Sequence, residues 1–290
     1  MTPELPSRDV VDAVIDRALA EDLDAAGDVT SAATVAEGTV GRADAVARQA
    51  GVIAAVPVAG RVFERVGAGR LSFDVAIADG SSVAPGAVVF TVAGPVRDIL
   101  TAERTALNLL GHLSGVATLT RRWVDAVAET GAVIRDTRKT LPGLRALEKY
   151  AVRCGGGTNH RMSLSDAALV KDNHVLAAGG AARAFKLVRR AWPGLPIEVE
   201  VDTVAQAREV VDAGADLVLL DNMTDDEMRA AVEYAKARGT RTEASGGLTL
   251  SRARAVAETG VDYLAVGALT HSAPVLDVGL DLVMDGTDVR

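Results

Sequence analysis

Residues 197–223, which read IEVEVDTVAQAREVVDAGADLVLLDNM, predict a unit in which a strand, a helix and a second strand follow one another. The first apolar run ends at Glu200 and the second ends at Asp221, while residues 203–213 have the apolar spacing of a helix. This order and spacing are typical of parallel βα units. Both strands end in a carboxylate, so the segment indicates the fold class and also where polar groups collect.

The same alternation of strand-like and helical runs continues through most of the chain after residue 115. Further strand-like runs end at intervals of 21 to 32 residues, at Lys139, Lys171, Ser245 and Gly267. Helical patterns fill the intervals, at residues 118–130, 179–191, 225–238 and 249–259. Six such units are fewer than the eight of a complete β/α barrel, which favours an incomplete barrel covered on its open side by the N-terminal domain or by a partner subunit. The alternative is an open doubly wound sheet, which also binds ligands at the carboxyl ends of its strands.

The first hundred residues follow a different pattern. Residues 8–23 have the spacing of an amphipathic helix. From about residue 38 to 96, short Val-rich runs alternate with Gly, Pro and Asp, which predicts strands joined by tight turns such as Asp79-Gly80 and Pro85-Gly86. A helix is predicted from Ile99 to Leu113. The chain therefore divides into a strand-rich N-terminal part and a βα part.

Composition excludes several function classes. A net charge of −8 and an aromatic content of 3% argue against a nucleic-acid-binding or membrane-surface protein. No run approaches the roughly eighteen apolar residues of a membrane span, and the first residues lack a signal-peptide pattern. The single cysteine, Cys154, cannot form an internal disulfide and is expected to be a small buried residue. These features predict a cytoplasmic protein.

Cations are concentrated between residues 135 and 171. This segment has eight Lys and Arg residues against three acidic ones, in a chain whose net charge is negative. The reversal of sign predicts an anionic ligand. Arg138, Lys139 and Lys171 lie at predicted strand ends and are therefore candidates for the ligand pocket. In contrast, Arg145, Lys149 and Arg153 recur every four residues, which favours a solvated helix face.

Carboxylates and glycines lie at the other predicted strand ends. Glu200 and Asp221 could act in acid–base chemistry or hold a divalent cation, with a structural salt bridge as the alternative. The stretch Ser245-Gly246-Gly247 and the residue Gly267 are suited to a phosphate site because glycine lets the backbone approach an anion. Each glycine motif taken alone is also compatible with an ordinary turn. The four histidines have no spacing typical of a zinc site, although His160 adjoins Arg161.

Seven ordered stretches resemble quinolinate phosphoribosyltransferase, also called carboxylating nicotinate-nucleotide pyrophosphorylase. The longest is DTRKTLPGLRALEKYAVRCGGGTNHRM at residues 136–162. The others are ERTALN at 103–108, KDNH at 171–174, EVEV at 198–201, LDNM at 220–223, EASGG at 243–247 and VGALTH at 266–271. Because the resemblance covers nearly the whole chain, it is far more specific than any single glycine motif.

The resemblance implies an α/β fold of the type II phosphoribosyltransferase kind, with an N-terminal α/β sandwich and an incomplete β/α barrel. The sandwich is expected at residues 1–115, with the tail 275–290 packing back on it, and the catalytic barrel at 116–274. The resemblance also implies a homodimer whose sites are completed across the interface by Arg104 of the partner subunit. It implies quinolinate, phosphoribosyl pyrophosphate and Mg²⁺ as ligands, and no nucleic acid or membrane partner.

Residue by residue, the resemblance implies the following site. Arg138, Arg161 and Lys171 would bind the two quinolinate carboxylates, with Thr137 and His160 nearby. Lys139 would contact the pyrophosphate or a carboxylate. Glu200 and Asp221 would face the ribose and its magnesium. Ser245, Gly246, Gly247 and Gly267 would bind the 5-phosphate. Catalysis would rest on Glu200, Asp221 and the two lysines, and either Lys139 or Lys171 could assist decarboxylation.

The implied reaction joins quinolinate to phosphoribosyl pyrophosphate and releases nicotinate mononucleotide, pyrophosphate and CO2, in de novo NAD biosynthesis. Three alternatives to this reaction make different demands on the same residues. A related enzyme that uses nicotinate would need fewer cations than this segment has. A Schiff-base lyase could use Lys171 at a barrel strand end. A non-catalytic sensor of sugar phosphates would have little use for the carboxylates Glu200 and Asp221.

Overall fold

The structure is a computed structural model that describes residues 3–284. Its helices are α1 (Arg8–Asp22), α2 (Val29–Thr34), α3 (Val56–Gly67), α4 (Val96–Ala126), α5 (Arg145–Cys154), α6 (Asp172–Ala178), α7 (Ala181–Ala191), α8 (Val204–Asp212), α9 (Asp225–Lys236), α10 (Ala253–Ala257) and α11 (Ala268–His271). Its strands are β1 (Val40–Ala47), β2 (Gly51–Val52), β3 (Ser72–Val75), β4 (Ser82–Val83), β5 (Val88–Pro95), β6 (Val133–Arg135), β7 (Ala168–Val170), β8 (Ile197–Val201), β9 (Leu217–Asp221), β10 (Arg241–Ser245), β11 (Tyr263–Ala265) and β12 (Val278–Met284).

The chain forms two compact units. Among the described residues, the first comprises residues 3–121, 140–156 and 269–284, and the second comprises Arg122–Lys139 and Gly157–Ala268. This division differs from the predicted one, because α4 continues past residue 115 and because residues 140–156 belong to the first unit. Within α4, Gly115 lies so close to the Pro274 carbonyl that a Cβ atom at this position would collide with it. Within the first unit, Tyr150 of α5 donates a hydrogen bond of 2.5 Å to buried Asp79.

The first unit contains an antiparallel sheet with the strand order β12-β1-β5-β3. Alternate residues of β1 are fully buried, namely Ala43, Ala45 and Ala47, as expected for a sheet with one covered face. Part of the predicted returning tail 275–290 forms β12, which pairs with β1 from Gly41 to Ala47. Residues 285–290 of that tail lie outside the described residues.

Helix α3 corrects the prediction that residues 38–96 form only strands and turns. Its apolar residues Val56, Ala59 and Phe63 recur at helical spacing and are buried. Pro57 lies in the first turn, where the missing N–H costs nothing. The Phe63 ring packs against Phe90 with centroids 5.8 Å apart. Sheet and helix thus form the α/β layers of this unit.

Helix α5 corrects a second prediction, the solvated face of Arg145, Lys149 and Arg153. Lys149 is fully buried, and so is its neighbour Glu148. Glu148 accepts a hydrogen bond of 2.9 Å from His112 in the same unit. Four-residue spacing shows only that the three cations share one helix face, and here that face is not solvent-exposed throughout.

The second unit is a six-stranded sheet with the order β6-β11-β10-β9-β8-β7, in which every pair is parallel. No ladder joins β6 to β7 between residues 3 and 284, so the barrel is incomplete as predicted. Beside β6, Thr158 forms an isolated parallel bridge with Arg135. We call this gap between β6 and β7 the seam. Because the strands are parallel, their carboxyl ends all lie at the same edge.

Four of the six predicted strand ends agree with the structure. Lys171 directly follows β7, Glu200 is the penultimate residue of β8, and β9 and β10 end at Asp221 and Ser245. The other two strands end earlier than predicted. β6 ends at Arg135 rather than Lys139. After it, the Asp136 amide donates to the Thr158 carbonyl and the Lys139 amide donates to the Thr137 hydroxyl. β11 ends at Ala265, two residues before Gly267.

No helix among residues 3–284 is long and apolar enough to cross a membrane.

Candidate active site

A cavity of about 260 Å³ lies at the carboxyl edge of the second unit. Four of the predicted cations line it together, although they are up to 33 residues apart in the chain: Arg138, Lys139, Arg161 and Lys171. The remaining lining residues are Thr137, His160, Leu169, Leu219, Glu243, Ser245 and Ala265. The structure therefore gathers seven of the thirteen predicted binding residues around one space.

Arg138 and Arg161 make this cavity suitable for an anion. The Arg138 Nε atom is buried and has no hydrogen-bond partner among the described residues. Burial and the nearby charge of Arg138 lower the pKa of the Arg161 guanidinium. The two guanidinium charges repel each other. A bound carboxylate would offset this repulsion and would accept a hydrogen bond from the Arg138 Nε atom.

Lys171 and the two predicted carboxylates form a second group at this edge. The Lys171 Nζ atom lies 2.5 Å from Glu200 Oε2. Burial, and next the negative charge of Glu200, raise the pKa of Asp221, while Lys171 and Lys139 lower it. Neither carboxylate lines the 260 Å³ cavity itself. The group thus has two like charges on neighbouring strands, only one of which is paired with Lys171.

The glycines after β10 adopt backbone conformations that other residues rarely take. Gly246 and Gly247 have φ angles of 85° and 57°. A Cβ atom on Gly246 would collide with the side chain of Asn222, whose backbone N–H donates a hydrogen bond of 3.1 Å to the Ser245 carbonyl. This packing brings the loops after β9 and β10 together, and Gly267 lies in the loop after β11. These three loops are where the resemblance implies a phosphate site.

Thr137 and Arg104 are the remaining predicted binding residues. Thr137 lines the cavity, and its hydroxyl accepts a hydrogen bond of 3.0 Å from the Lys139 amide. Arg104 lies in the first unit, on α4, with an exposed side chain. It is not among the residues that line the cavity.

Sequence reasoning missed the buried partners of His160, of which Glu243 also lines the cavity. The His160 Nε2 atom lies 2.7 Å from Glu198 Oε2 and 3.6 Å from Glu243 Oε1. Arg135 pairs with Glu243 at 2.5 Å. Burial raises the pKa of both carboxyl groups to about 7. The two-residue period of a strand could have revealed these carboxylates. By that period, Glu198 shares a strand face with Glu200, and Glu243 shares one with Ser245.

Cys154 has the structural character predicted from the sequence. Its side chain is buried, and burial raises the pKa of its thiol to about 12. A thiol with so high a pKa is a poor nucleophile near neutral pH. Cys154 therefore contributes packing to the first unit.

Comparison with known proteins covers both parts of the chain. The family model of the quinolinate phosphoribosyl transferase C-terminal domain matches residues 116–281, and that of the N-terminal domain matches residues 28–114. The chain is 52% identical over 271 residues to a Mycobacterium leprae protein named nicotinate-nucleotide pyrophosphorylase [carboxylating], covering 92% of this chain and 95% of that protein.

Solved structures show the same likeness in three dimensions. The nicotinate-nucleotide pyrophosphorylase from Francisella tularensis is 36% identical, with a TM-score of 0.92 over 98% of this chain and 99% of that chain. NadC from Streptococcus pyogenes is also 36% identical, with a TM-score of 0.91 over 97% of this chain and 99% of that chain. Sequence and structure comparisons therefore agree over nearly the whole length.

Proposed function

Because the chain belongs to the quinolinate phosphoribosyltransferase family, we propose that it transfers the phosphoribosyl group of phosphoribosyl pyrophosphate to quinolinate. The products are nicotinate mononucleotide, pyrophosphate and CO2, as required in de novo NAD biosynthesis. The observation that carries this proposal is the cavity that brings together Arg138, Arg161 and Lys171, with a buried Arg138 donor that no described residue satisfies. Such a cavity is suited to a small dianion.

The cations of the cavity would offset the repulsion between the two substrates. Both substrates are anions, and each pair of unit charges at 4 Å costs roughly 4 kcal/mol at an effective dielectric constant near 20. Arg138 and Arg161 would bind the two quinolinate carboxylates and so hold the ring nitrogen toward the sugar. Lys139 at the cavity rim would face the pyrophosphate or a carboxylate. Ser245 and the glycines of the neighbouring loops would bind the 5-phosphate.

The chemistry has two steps. The ring nitrogen donates its lone pair to the anomeric carbon, while the bond from that carbon to pyrophosphate breaks and its electron pair leaves with the phosphate oxygen. The bond between ring carbon 2 and its carboxylate then breaks, CO2 departs, and the electron pair left on ring carbon 2 takes up a proton from water or from a lysine ammonium group. Lys139 and Lys171 both line the cavity and either could assist this second step. Glu200 and Asp221 would stabilise positive charge on the ribose.

Mg²⁺ is the proposed cofactor, and the residues at the ends of β8 and β9 suit it. Glu200 and Asp221 offer carboxylate oxygens, which hard divalent cations prefer, directly or through water. Asp221 in addition has a pKa raised by burial and by the charge of Glu200, a penalty that a cation would relieve. When bound, the ion would neutralise pyrophosphate charge and so favour its departure.

We further propose a homodimer in which the partner subunit's Arg104 completes each site. The exposed side chain of Arg104, in the part of α4 that belongs to the first unit, supports this arrangement, because an exposed cation is accessible to another subunit. We also propose a cytoplasmic location, which the lack of any second cysteine for a disulfide supports.

A product assay tests the proposed reaction. With quinolinate labelled in its 2-carboxyl group and phosphoribosyl pyrophosphate, the protein is expected to form nicotinate mononucleotide and labelled CO2 in equal amounts. Nicotinate serves as the matched control, since it lacks the second carboxylate and can release no CO2. Faster turnover of nicotinate than of quinolinate would refute the proposed substrate.

Removing one carboxylate tests the Mg²⁺ site. Asp221→Asn is expected to raise the Mg²⁺ concentration that gives half-maximal activity by about tenfold or more, because one charged ligand is worth more than the ~1.4 kcal/mol that a tenfold change represents. Titration calorimetry of Mg²⁺ with phosphoribosyl pyrophosphate present gives a second readout. Asp225→Asn, which removes a carboxylate paired with Arg252 at the start of α9, is the control. Equal half-saturation for all three proteins would contradict the assignment.

A further inference from the structure

The segment Thr158–Arg161 occupies the seam between β6 and β7. Its first residue is held beside β6, where the Thr158 N–H donates to the Ile134 carbonyl at 2.9 Å and the Asp136 N–H donates to the Thr158 carbonyl at 3.2 Å. Its last residue, Arg161, reaches the other side of the seam and donates a hydrogen bond of 2.9 Å to the Ala167 carbonyl. The segment that carries a proposed quinolinate ligand is therefore not part of a regular strand, and side chains have to hold it.

Asp136 holds the segment from the β6 side. One of its carboxylate oxygens accepts the His160 N–H at 2.9 Å, and the other accepts the Asn159 side-chain amide at 2.5 Å. Asp136 is fully buried. Each oxygen thus binds one of two consecutive residues of the segment, which sets the position of its backbone relative to β6.

Glu198 holds the segment from the β8 side through the His160 ring. The His160 Nδ1 atom accepts a hydrogen bond of 2.8 Å from the Arg161 N–H. A ring nitrogen that accepts a hydrogen bond carries no proton, so the proton of the neutral ring lies on Nε2. Nε2 can then donate to Glu198 Oε2 at 2.7 Å. Both ring nitrogens are engaged with protein groups, which leaves His160 to orient the segment.

We propose that Asp136 and Glu198 are positioning residues for the transfer reaction, acting through His160 to hold Arg161 in the quinolinate cavity. The inference rests on the proposed function, since it assigns Arg161 to quinolinate. A small anion needs its ligands fixed to fractions of an ångström. Removing an acceptor from one side of the seam leaves a buried donor unsatisfied, and the segment can relieve that loss only by moving. Arg161 would move with it.

Steady-state kinetics with both substrates test the inference. Glu198→Ala is expected to raise KM for quinolinate at least about tenfold, with KM for phosphoribosyl pyrophosphate changed less than about twofold. Glu198→Gln keeps an oxygen acceptor for the His160 Nε2 proton, and it is expected to restore KM for quinolinate to within about threefold of the unmodified protein. A residue with a merely structural role would affect both substrates alike and would not be rescued in this selective way.

Asp262→Ala is the matched control. Asp262 accepts hydrogen bonds from the Thr242 amide and hydroxyl at 2.7 and 3.2 Å, just before β11 and away from the cavity. Its loss should lower the melting temperature without changing either KM. If Glu198→Ala fails to fold, Asp136→Asn takes its place. This change leaves one acceptor for the His160 N–H but turns an amide toward Asn159, and it should also raise KM for quinolinate selectively.

The outcomes separate the inference from the function on which it rests. If the unmodified protein forms product but the Glu198 and Asp136 variants keep their KM for quinolinate, the positioning assignment is wrong. Equal increases of both KM values, or no difference between Glu198→Ala and Glu198→Gln, also overturn it. If the unmodified protein neither binds quinolinate by calorimetry nor forms product, the proposed function fails and the inference falls with it.

Discussion

Replacing Arg138 by alanine is expected to abolish measurable quinolinate binding while the protein remains folded. Its Nε atom is buried in the cavity wall without a partner among the described residues. A bound carboxylate would supply that partner through a two-point contact. Two charge-assisted hydrogen bonds at about 1.5–3 kcal/mol each correspond to roughly two to four orders of magnitude in Kd. The fold should survive, because the substitution removes a donor that is unsatisfied without ligand.

Titration calorimetry with quinolinate measures this loss, and circular dichroism checks the fold. Arg229→Ala is the matched control, since it removes the same charge from an exposed arginine paired with Asp226 on α9. Arg138→Lys should bind with intermediate affinity, because it keeps the charge but loses the planar fork. Unchanged quinolinate affinity in Arg138→Ala would show that Arg138 is no carboxylate ligand.

The parallel sheet and its polar edge could be predicted from the sequence because each depends on local patterns. Strand-like runs and helical runs alternate after residue 115, and every strand ends near a charged or small polar residue. In a parallel sheet these ends must share one edge, so Lys171, Asp221 and Ser245 could be brought together without coordinates. The resemblance then assigned ligands to that edge.

What escaped prediction depends on burial, which local patterns do not report. Lys149 has the four-residue spacing of a solvated face yet is fully buried. Helix α3 is a different case, because the helical spacing of Val56, Ala59 and Phe63 is present in the sequence but lies within a segment of strand-like runs and turn residues. The assignment of residues 140–156 to the first unit likewise rests on long-range contacts such as Tyr150 with Asp79.

The buried partners of His160 show how far strand periodicity could have taken the prediction. Glu198 and Glu243 lie two residues before Glu200 and Ser245, and hence on the same faces of β8 and β10. That rule alone would have placed both carboxylates on the side of the sheet that Glu200 and Ser245 face. It could not have shown that His160 lies between them, because His160 reaches both carboxylates from the seam, where no strand exists to set a period.

Mixing two inactive proteins tests whether each site depends on the partner subunit's Arg104. Arg104→Ala and Arg138→Ala should each lack activity, because each removes a cation from every site. In the proposed homodimer, a mixed dimer contains one site with an intact Arg138 and the partner subunit's intact Arg104. Random reassociation of equal amounts makes about half of all dimers mixed, each with one working site of two. About a quarter of the activity of the unmodified protein should return.

The converse mixture supplies the control. A chain with both substitutions supplies neither Arg104 nor Arg138. If Arg104 acts across the interface, the mixed dimers of this chain with the unmodified protein therefore contain no working site. Activity per unmodified chain should then fall to about half. If Arg104 instead serves the site of its own chain, the first mixture stays inactive and the second keeps the full activity of its unmodified chains. The two mixtures therefore shift in opposite directions only when the site is shared.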